Sequence, residues 1–235
     1  MNTQRVPFGR GELFRAPLFT TAEMLQISAL IDTVPDGTRR PPGRGQAAGG
    51  MTTIGEPLYV NRHQLDYYTR CAREDNRRLY RHFRDAYERV ARFFEQRYRA
   101  PVVFAEELAV PGFHVFEYRQ PGEYGGGSWH FDTLYLQVPF LAARRGQISG
   151  IVNFTLPVQV PSGGTGMDLC DGGPGDDGQG RGVRISTPYL PGVLVFNERE
   201  YWHRIGNSRC LRDRERRITL QGHGVCFRSR WLLFW

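Results

Sequence analysis

His130-Phe131-Asp132 is followed by His203, 71 residues after Asp132, and by Arg217, a further 14 on, a set of side chains able to bind a metal ion and an anion. Two imidazoles and one carboxylate can occupy one face of an octahedral metal and leave the opposite face open to other ligands. Side chains alternate across a β-strand, so a strand over residues 130–138 would project His130 and Asp132 into one cavity and turn Phe131 to the opposite layer. A hard carboxylate oxygen beside borderline imidazole nitrogens suits Fe(II) or Mn(II) better than a thiolate-rich zinc site does. Alone, His-x-Asp arises by chance in many proteins. Its weight rises because His203, in the short apolar stretch Tyr201-Trp202-His203-Arg204-Ile205, is followed by Arg217-x-Thr219.

Residues 206–216 are polar and read as a turn, and residues 217–227 read as a strand. An antiparallel return places Arg217 and Thr219 on one face near His203. A guanidinium buried there requires a carboxylate, which its planar fork can bind in bidentate fashion. The Thr219 hydroxyl could bond the same group.

Together, His130-x-Asp132, His203 and Arg217-x-Thr219 resemble the Fe(II)/2-oxoglutarate-dependent oxygenases. The resemblance implies that His130, Asp132 and His203 hold Fe(II), that Arg217 and Thr219 hold the far carboxylate of 2-oxoglutarate, and that O2 is the remaining co-substrate. Its motifs span 130–219, and plausible jelly-roll strands extend it to 102–235. A narrower similarity, in Pro111-Gly112-Phe113-His114-Val115-Phe116 and Arg217-Ile218-Thr219-Leu220-Gln221-Gly222-His223-Gly224, is to the free-amino-acid hydroxylases and halogenases of that superfamily. Those halogenases carry Gly or Ala at the position of Asp132, and the vacated site accepts halide. With the carboxylate present, the resemblance implies hydroxylation, or a related C–H oxidation such as desaturation, in place of chlorination. The implied substrate is an amino acid or an amino-acid-derived natural-product intermediate.

Further candidates flank this set. His223 lies six residues beyond Arg217, on the same face of a regular strand, and Asn153 and Tyr135 lie on segments that could neighbour it. All three are candidates to reach 2-oxoglutarate, with core hydrogen bonding as the competing account. Glu117 and Glu123 could meet a cationic substrate group or simply be exposed carboxylates. Trp129, Trp231 and Trp202 could shape a substrate pocket, although buried aromatics usually serve as core. His114 reads as a hydrogen-bonded core histidine, and His63 and His82 as surface or packing residues.

The chain around these residues falls into two textures. Thr20-Thr21-Ala22-Glu23 resembles a helix start before Met24–Ile31. In 62–99, Leu79, Phe83, Tyr87, Val90 and Phe94 recur at spacings of 4, 4, 3 and 4, a helical apolar stripe. From Val102 onward the chain breaks into short apolar runs separated by Gly- and Pro-rich turns, among them a run over 133–138. The expected class is mainly β with N-terminal helices around a double-stranded β-helix (jelly roll, cupin-like) core. The expected organisation is one domain, with residues 1–100 as helical N-terminal support and 101–235 as jelly-roll core. The loops 35–50, with three prolines and five glycines, and 161–182, with nine glycines and Asp168, Asp171, Asp176 and Asp177, read as connectors. A lid role competes for both, and the acidic spacing of the second does not match a helix–loop–helix calcium site.

Composition narrows the alternatives. All 31 basic residues are arginine and net charge is +7, so a nucleic-acid-modifying member of the superfamily has to be weighed. The arginines of 62–99 are interleaved with Asp and Glu, and the second arginine that such demethylases carry six residues after the first is here His223, so nucleic acid is disfavoured. Protein-modifying oxygenases and a non-catalytic jelly-roll binding module remain as alternatives; the module accounts for the strands but not for the triad with Arg-x-Thr. Cys71, Cys170, Cys210 and Cys226 form no CxxC pair, which fits reduced thiols. No apolar run approaches 18 residues and no signal-like segment opens the sequence, so a cytoplasmic protein away from membranes, acting on a small molecule, is expected.

Overall fold

In a computed structural model that describes residues 2–40, 50–61, 63–172 and 182–235, Thr20 closes a capping box with Glu23. The Glu23 carboxylate accepts from the Thr20 backbone N–H at 2.7 Å, and the Thr20 hydroxyl accepts from the Glu23 N–H at 3.3 Å. This starts α1 (Thr21–Asp32), which buries Met24, Ile27 and Ile31. The short α2 (Leu58–Asn61) leads into α3 (Leu65–Tyr98), whose stripe Leu79, Phe83, Tyr87, Val90 and Phe94 is wholly buried. The helix bends at Phe83 (φ −120°, ψ 28°), where that ring packs on Phe113 with centroids 4.6 Å apart. No helix among the described residues is long and apolar enough to cross a membrane.

The strands are β1 (Gln4–Phe8), β2 (Gly11–Pro17), β3 (Arg39–Arg40), β4 (Met51–Ile54), β5 (Val102–Phe104), β6 (Gly112–Tyr118), β7 (Gly122–Tyr124), β8 (Ile148–Gln159), β9 (Gly166–Cys170), β10 (Arg184–Pro188), β11 (Val193–Asn197), β12 (Trp202–Ile205), β13 (Ser208–Cys210), β14 (Glu215–Phe227) and β15 (Arg230–Phe234). One large sheet runs β1-β2-β11-β8-β14-β6-β4-β3, with β15 beside the second half of β14 and β5 beyond it. Two smaller sheets, β10-β9-β12 and β13-β7, complete the jelly roll.

Strand alternation divides the large sheet into two unlike faces. Ile218 and Leu220 of β14, Phe113 and Val115 of β6, and Phe154 and Leu156 of β8 pack with α1 and α3 in the main hydrophobic cluster. Burying each such side chain contributes about 1.5–3 kcal/mol, which anchors the sheet against the helices. The intervening residues Arg217, Thr219, Gln221 and His223 turn the other way. On that face Leu13 and Val195 pack with Leu169 of β9, Tyr189 and Tyr201, joining the large sheet to the small one.

Three expectations need correction. Residues 1–100 are not a purely helical support: β1, β2, β3 and β4 belong to the same large sheet as β8 and β14. Their sequence pattern was too short and mixed to stand apart from a loop, and it is pairing with β11 and β6 that makes strands of β2 and β4. Second, the strand expected over 130–138 reduces to a single bridge between His130 and His203, followed by a 3-10 turn at Leu134–Gln137 and by α4 (Pro139–Ala142). Pro139 has no N–H for a ladder and suits the first turn of a helix. Third, β9 lies within the span read as the loop 161–182; its register with β10 and β12 supplies the pairing that the glycines concealed. The central parts of the two proposed loops, including Asp176 and Asp177, lie outside the described residues.

A buried ionic cluster ties β3 to α3. Arg40 Nε donates to Glu56 at 2.8 Å and Arg40 Nη2 to Asp75 at 2.7 Å; Asn61 also donates to Glu56. Burial pushes the Asp75 carboxyl up to about 6, against the downward pull of Arg40. Between pH ~4 and ~6 the folded protein thus holds a proton that the unfolded chain has released. This group's favourable contribution is complete below that window and is lost as pH rises through it. Asp75→Asn is expected to remove, from urea-denaturation stabilities measured at pH 4 to 7, a decline on the order of 2 kcal/mol. An unaltered pH slope would refute the assignment.

Candidate active site

His130 and His203 face each other as mirror halves of one bridge. The His130 N–H donates to the His203 carbonyl at 2.9 Å, the His203 N–H returns a bond at 3.0 Å, and the two rings lie 4.2 Å apart. Each ring is oriented in the same way: Nδ1 is 2.9 Å from the Ser128 carbonyl in His130 and 3.1 Å from the Tyr201 carbonyl in His203. A carbonyl only accepts, so both Nδ1 atoms carry the hydrogen and both Nε2 atoms present their lone pairs inward, the arrangement of metal-ligating imidazoles. Asp132 completes the set. One potential ligand atom from each of His130, Asp132 and His203 lies within 4.8 Å of the others.

The electrostatics of the triad are those of a cation site. Burial alone would raise the Asp132 carboxyl, but His203, then His223, hold it far below the usual carboxylate range. Burial would also lower His203, yet Asp132, whose Oδ2 is 3.0 Å from His203 Nε2, raises it. His130, with burial dominant and His203 beside it, is lowered and stays neutral. A divalent cation bound among these ligand atoms would compete with any proton that His203 takes up against Asp132, so metal affinity would fall in acid.

Arg217 is 0% exposed on β14, with its guanidinium between the rings of Phe116 (5.2 Å) and Tyr189 (5.3 Å). Its Nε, Nη1 and Nη2 have no hydrogen-bond partner among the described residues. A desolvated cation with idle donors is strongly unfavourable, so this arrangement fits an anionic guest with planar acceptor geometry. Thr219, also fully buried and on the same face, accepts a 3.3 Å bond from Gln221 Nε2 and keeps its hydroxyl hydrogen for a ligand. The donor set therefore fits a metal-chelating oxo acid whose distal end is a carboxylate.

The other residues proposed from sequence divide. His223 and Asn153 come together, Nδ1 to Oδ1 at 2.8 Å, and His223 Nδ1 lies 3.8 Å from Asp132 Oδ2. Tyr135 is near the triad in sequence, but its hydroxyl donates to Glu200 at 2.7 Å, away from Arg217, on the wall of a cleft of about 470 Å³ that Ile151 and Arg145 also line. The Trp129 ring lies under Arg204 (5.0 Å) and Arg184 (5.4 Å). Trp231 is not brought to the triad: it stacks on Tyr98 at 4.0 Å inside the main core, because its strand position faces the helices. Glu117 is exposed on the opposite face of β6 from His114 and Phe116, and Glu123 is exposed on β7, opposite Arg209. His82 caps the end of α1 through the Leu30 carbonyl at 3.0 Å. No local motif marks Tyr59, Tyr189 or Glu200, each of which enters by packing across the chain, against His114, Arg217 and Tyr135 respectively.

At the level of sequence, no family model and no curated protein matches this chain. Solved structures do. The chain is similar to an N-substituted L-amino acid dioxygenase from Burkholderia ambifaria AMMD, with 17% identity over 94% of this chain and 85% of that one and a TM-score of 0.58. A structure of such a dioxygenase from the same organism in complex with alpha-ketoglutarate (2-oxoglutarate) gives 15% identity, 99% and 97% coverage and a TM-score of 0.57. The non-heme alpha-ketoglutarate-dependent epimerase SnoN from nogalamycin biosynthesis gives 14% identity, 92% and 81% coverage and a TM-score of 0.51. At such identities the likeness is one of architecture, and the chain has the double-stranded β-helix fold of these alpha-ketoglutarate-dependent enzymes.

Proposed function

We propose that residues 1–235 form a single Fe(II)- and 2-oxoglutarate-dependent oxygenase domain that hydroxylates an unactivated C–H bond of a small molecule, an amino acid or an amino-acid-derived intermediate. The observation that carries this reading is the conjunction of the His130–Asp132–His203 cluster with a fully buried Arg217 whose three nitrogens have no partner among the described residues. Similarity of fold to a dioxygenase acting on N-substituted L-amino acids and to an epimerase supports the class, and leaves the choice of substrate to the pocket.

In this reading the triad holds iron, and the bound metal with 2-oxoglutarate and O2 supplies an oxidant strong enough for C–H bonds. The chain's own residues do the positioning. The Ser128 and Tyr201 carbonyls fix the two imidazoles, Asp132 supplies the anionic ligand, and Arg217 with Thr219 orients the co-substrate from its far end. Asn153 holds the His223 ring beside Asp132, so His223 limits how the carboxylate can turn.

Anaerobic addition of Fe(II) and 2-oxoglutarate is expected to produce a weak visible charge-transfer band that His130→Ala lacks. Folded, metal-loaded protein without that band would sink the proposal. Succinate release in the presence of candidate amino acids would then identify the substrate.

A further inference from the structure

We infer that His114 donates a third hydrogen bond, from Nδ1–H, to the carboxylate that Arg217 holds, and that Tyr59 sets the tautomer that makes this possible. The inference rests on the assignment of Arg217 to the distal carboxylate of 2-oxoglutarate, and it adds two residues that no motif marks. On the antiparallel ladder between β6 and β14, His114 stands opposite Thr219 and Phe116 opposite Arg217. Directly opposed side chains lie about 4.5–5.5 Å apart at Cβ, so the imidazole shares one patch of the inner face with the guanidinium and the hydroxyl.

The environment of His114 leaves few choices. It is 6% exposed, and burial, followed by Arg217, pushes its pKa down to about 3, so the ring is neutral with one donor and one acceptor nitrogen. Its Nε2 lies 2.7 Å from the Tyr59 hydroxyl, and its buried Nδ1 has no partner among the described residues. Burial and the nearby Asp132 raise the Tyr59 phenol, so Tyr59 keeps its hydrogen and must place it. The acceptor in contact is Nε2. The ring hydrogen is then on Nδ1, a buried donor on the same sheet face as Arg217, whose three nitrogens also lack an acceptor among the described residues. A buried donor left without an acceptor is unfavourable, so the site favours a guest that supplies one. A carboxylate, with roughly four acceptor positions, can meet the guanidinium and the imidazole N–H together.

The test is 2-oxoglutarate affinity by calorimetry on anaerobic, Mn(II)-loaded protein, where no turnover occurs. Wild type, His114→Leu, His114→Asn and Arg217→Met are compared, with 2-oxopentanoate as a probe of equal chain length that lacks the distal carboxylate. His114→Leu is expected to weaken 2-oxoglutarate about tenfold and to leave 2-oxopentanoate unchanged. His114→Asn, whose amide can place an N–H near the position of Nδ1, is expected to stay within about threefold of wild type. Circular dichroism confirms that each variant is folded. Equal weakening of both ligands by His114→Leu, or no weakening of either, overturns the inference while an Arg217→Met loss keeps the carboxylate assignment. Asparagine as poor as leucine would also overturn it, since Nδ1–H would then not be the contact. If Arg217→Met leaves 2-oxoglutarate affinity intact, the underlying assignment fails and the inference falls with it.

Discussion

Asp132→Ala is expected to abolish turnover and to reduce Fe(II) or Mn(II) affinity by more than about 100-fold. Loss of a residue that merely orients a ligand costs about 10- to 100-fold in metal affinity, and Asp132 is the sole anionic member of the cluster His130–Asp132–His203. Its removal also takes away the main partner that raises His203, leaving burial, which lowers it, and the bond to the Tyr201 carbonyl, which raises it, and no anionic ligand remains to balance a divalent ion. The free-Mn(II) signal in electron paramagnetic resonance, recorded while protein is titrated in, checks this directly. Retention of wild-type affinity would mean that the metal binds elsewhere. There is a stability signature as well. The Asp132 carboxyl is depressed in the folded protein, so its contribution is present above the ordinary carboxylate pKa and is lost as pH falls through the folded value. Metal-free Asp132→Ala should therefore lose stability relative to wild type at neutral pH, and less so in acid.

Arg217→Met carries the opposite signature. Breaking a buried, ligand-paired charge costs about 2–5 kcal/mol, so 2-oxoglutarate affinity is expected to fall by about 100-fold. In the ligand-free protein, however, Arg217 is a fully buried cation between Phe116 and Tyr189 whose nitrogens have no partner among the described residues. Methionine keeps the apolar contacts without that desolvation penalty, and replacing a buried charge in this way is often neutral or stabilising by about 1–4 kcal/mol. The ligand-free variant should melt at the wild-type temperature or several degrees above it. Added 2-oxoglutarate at 100 times the wild-type dissociation constant should stabilise wild type by about 2.7 kcal/mol and the variant far less. A variant that melts lower and still binds 2-oxoglutarate normally would show that Arg217 is a structural residue.

The convergence of His130, Asp132 and His203 and the inward burial of Arg217 and Thr219 were legible because metal and carboxylate chemistry restrict residue types severely, and period-two alternation on β14 keeps Arg217, Thr219, Gln221 and His223 on one face. The long apolar stripe of α3 was legible for a similar reason, since five large residues at helical spacing bury together. The expected strand over 130–138 had the right alternation at Leu134, Leu136 and Val138 but no ladder to join beyond His203. His130 and Asp132 nevertheless converge, by way of a bridge and a turn. The helical reading of the first hundred residues missed β2 and β4, whose identity depends on partners 100 or more and about 60 residues away.

Residue types state which atoms are available: two imidazoles, a carboxylate, one arginine destined for the inside of a sheet, and a jelly roll able to enclose them. Packing across the chain sets which of the remaining residues face that chemistry. It gave Tyr135 to Glu200, Trp231 to the core, and Tyr59 with His114 to the patch beside Arg217. Ligand chemistry is carried by residue type, which a sequence states outright. Hydrogen-bond partnership instead depends on register between strands far apart in the chain, where a shift of one residue turns a side chain to the other face.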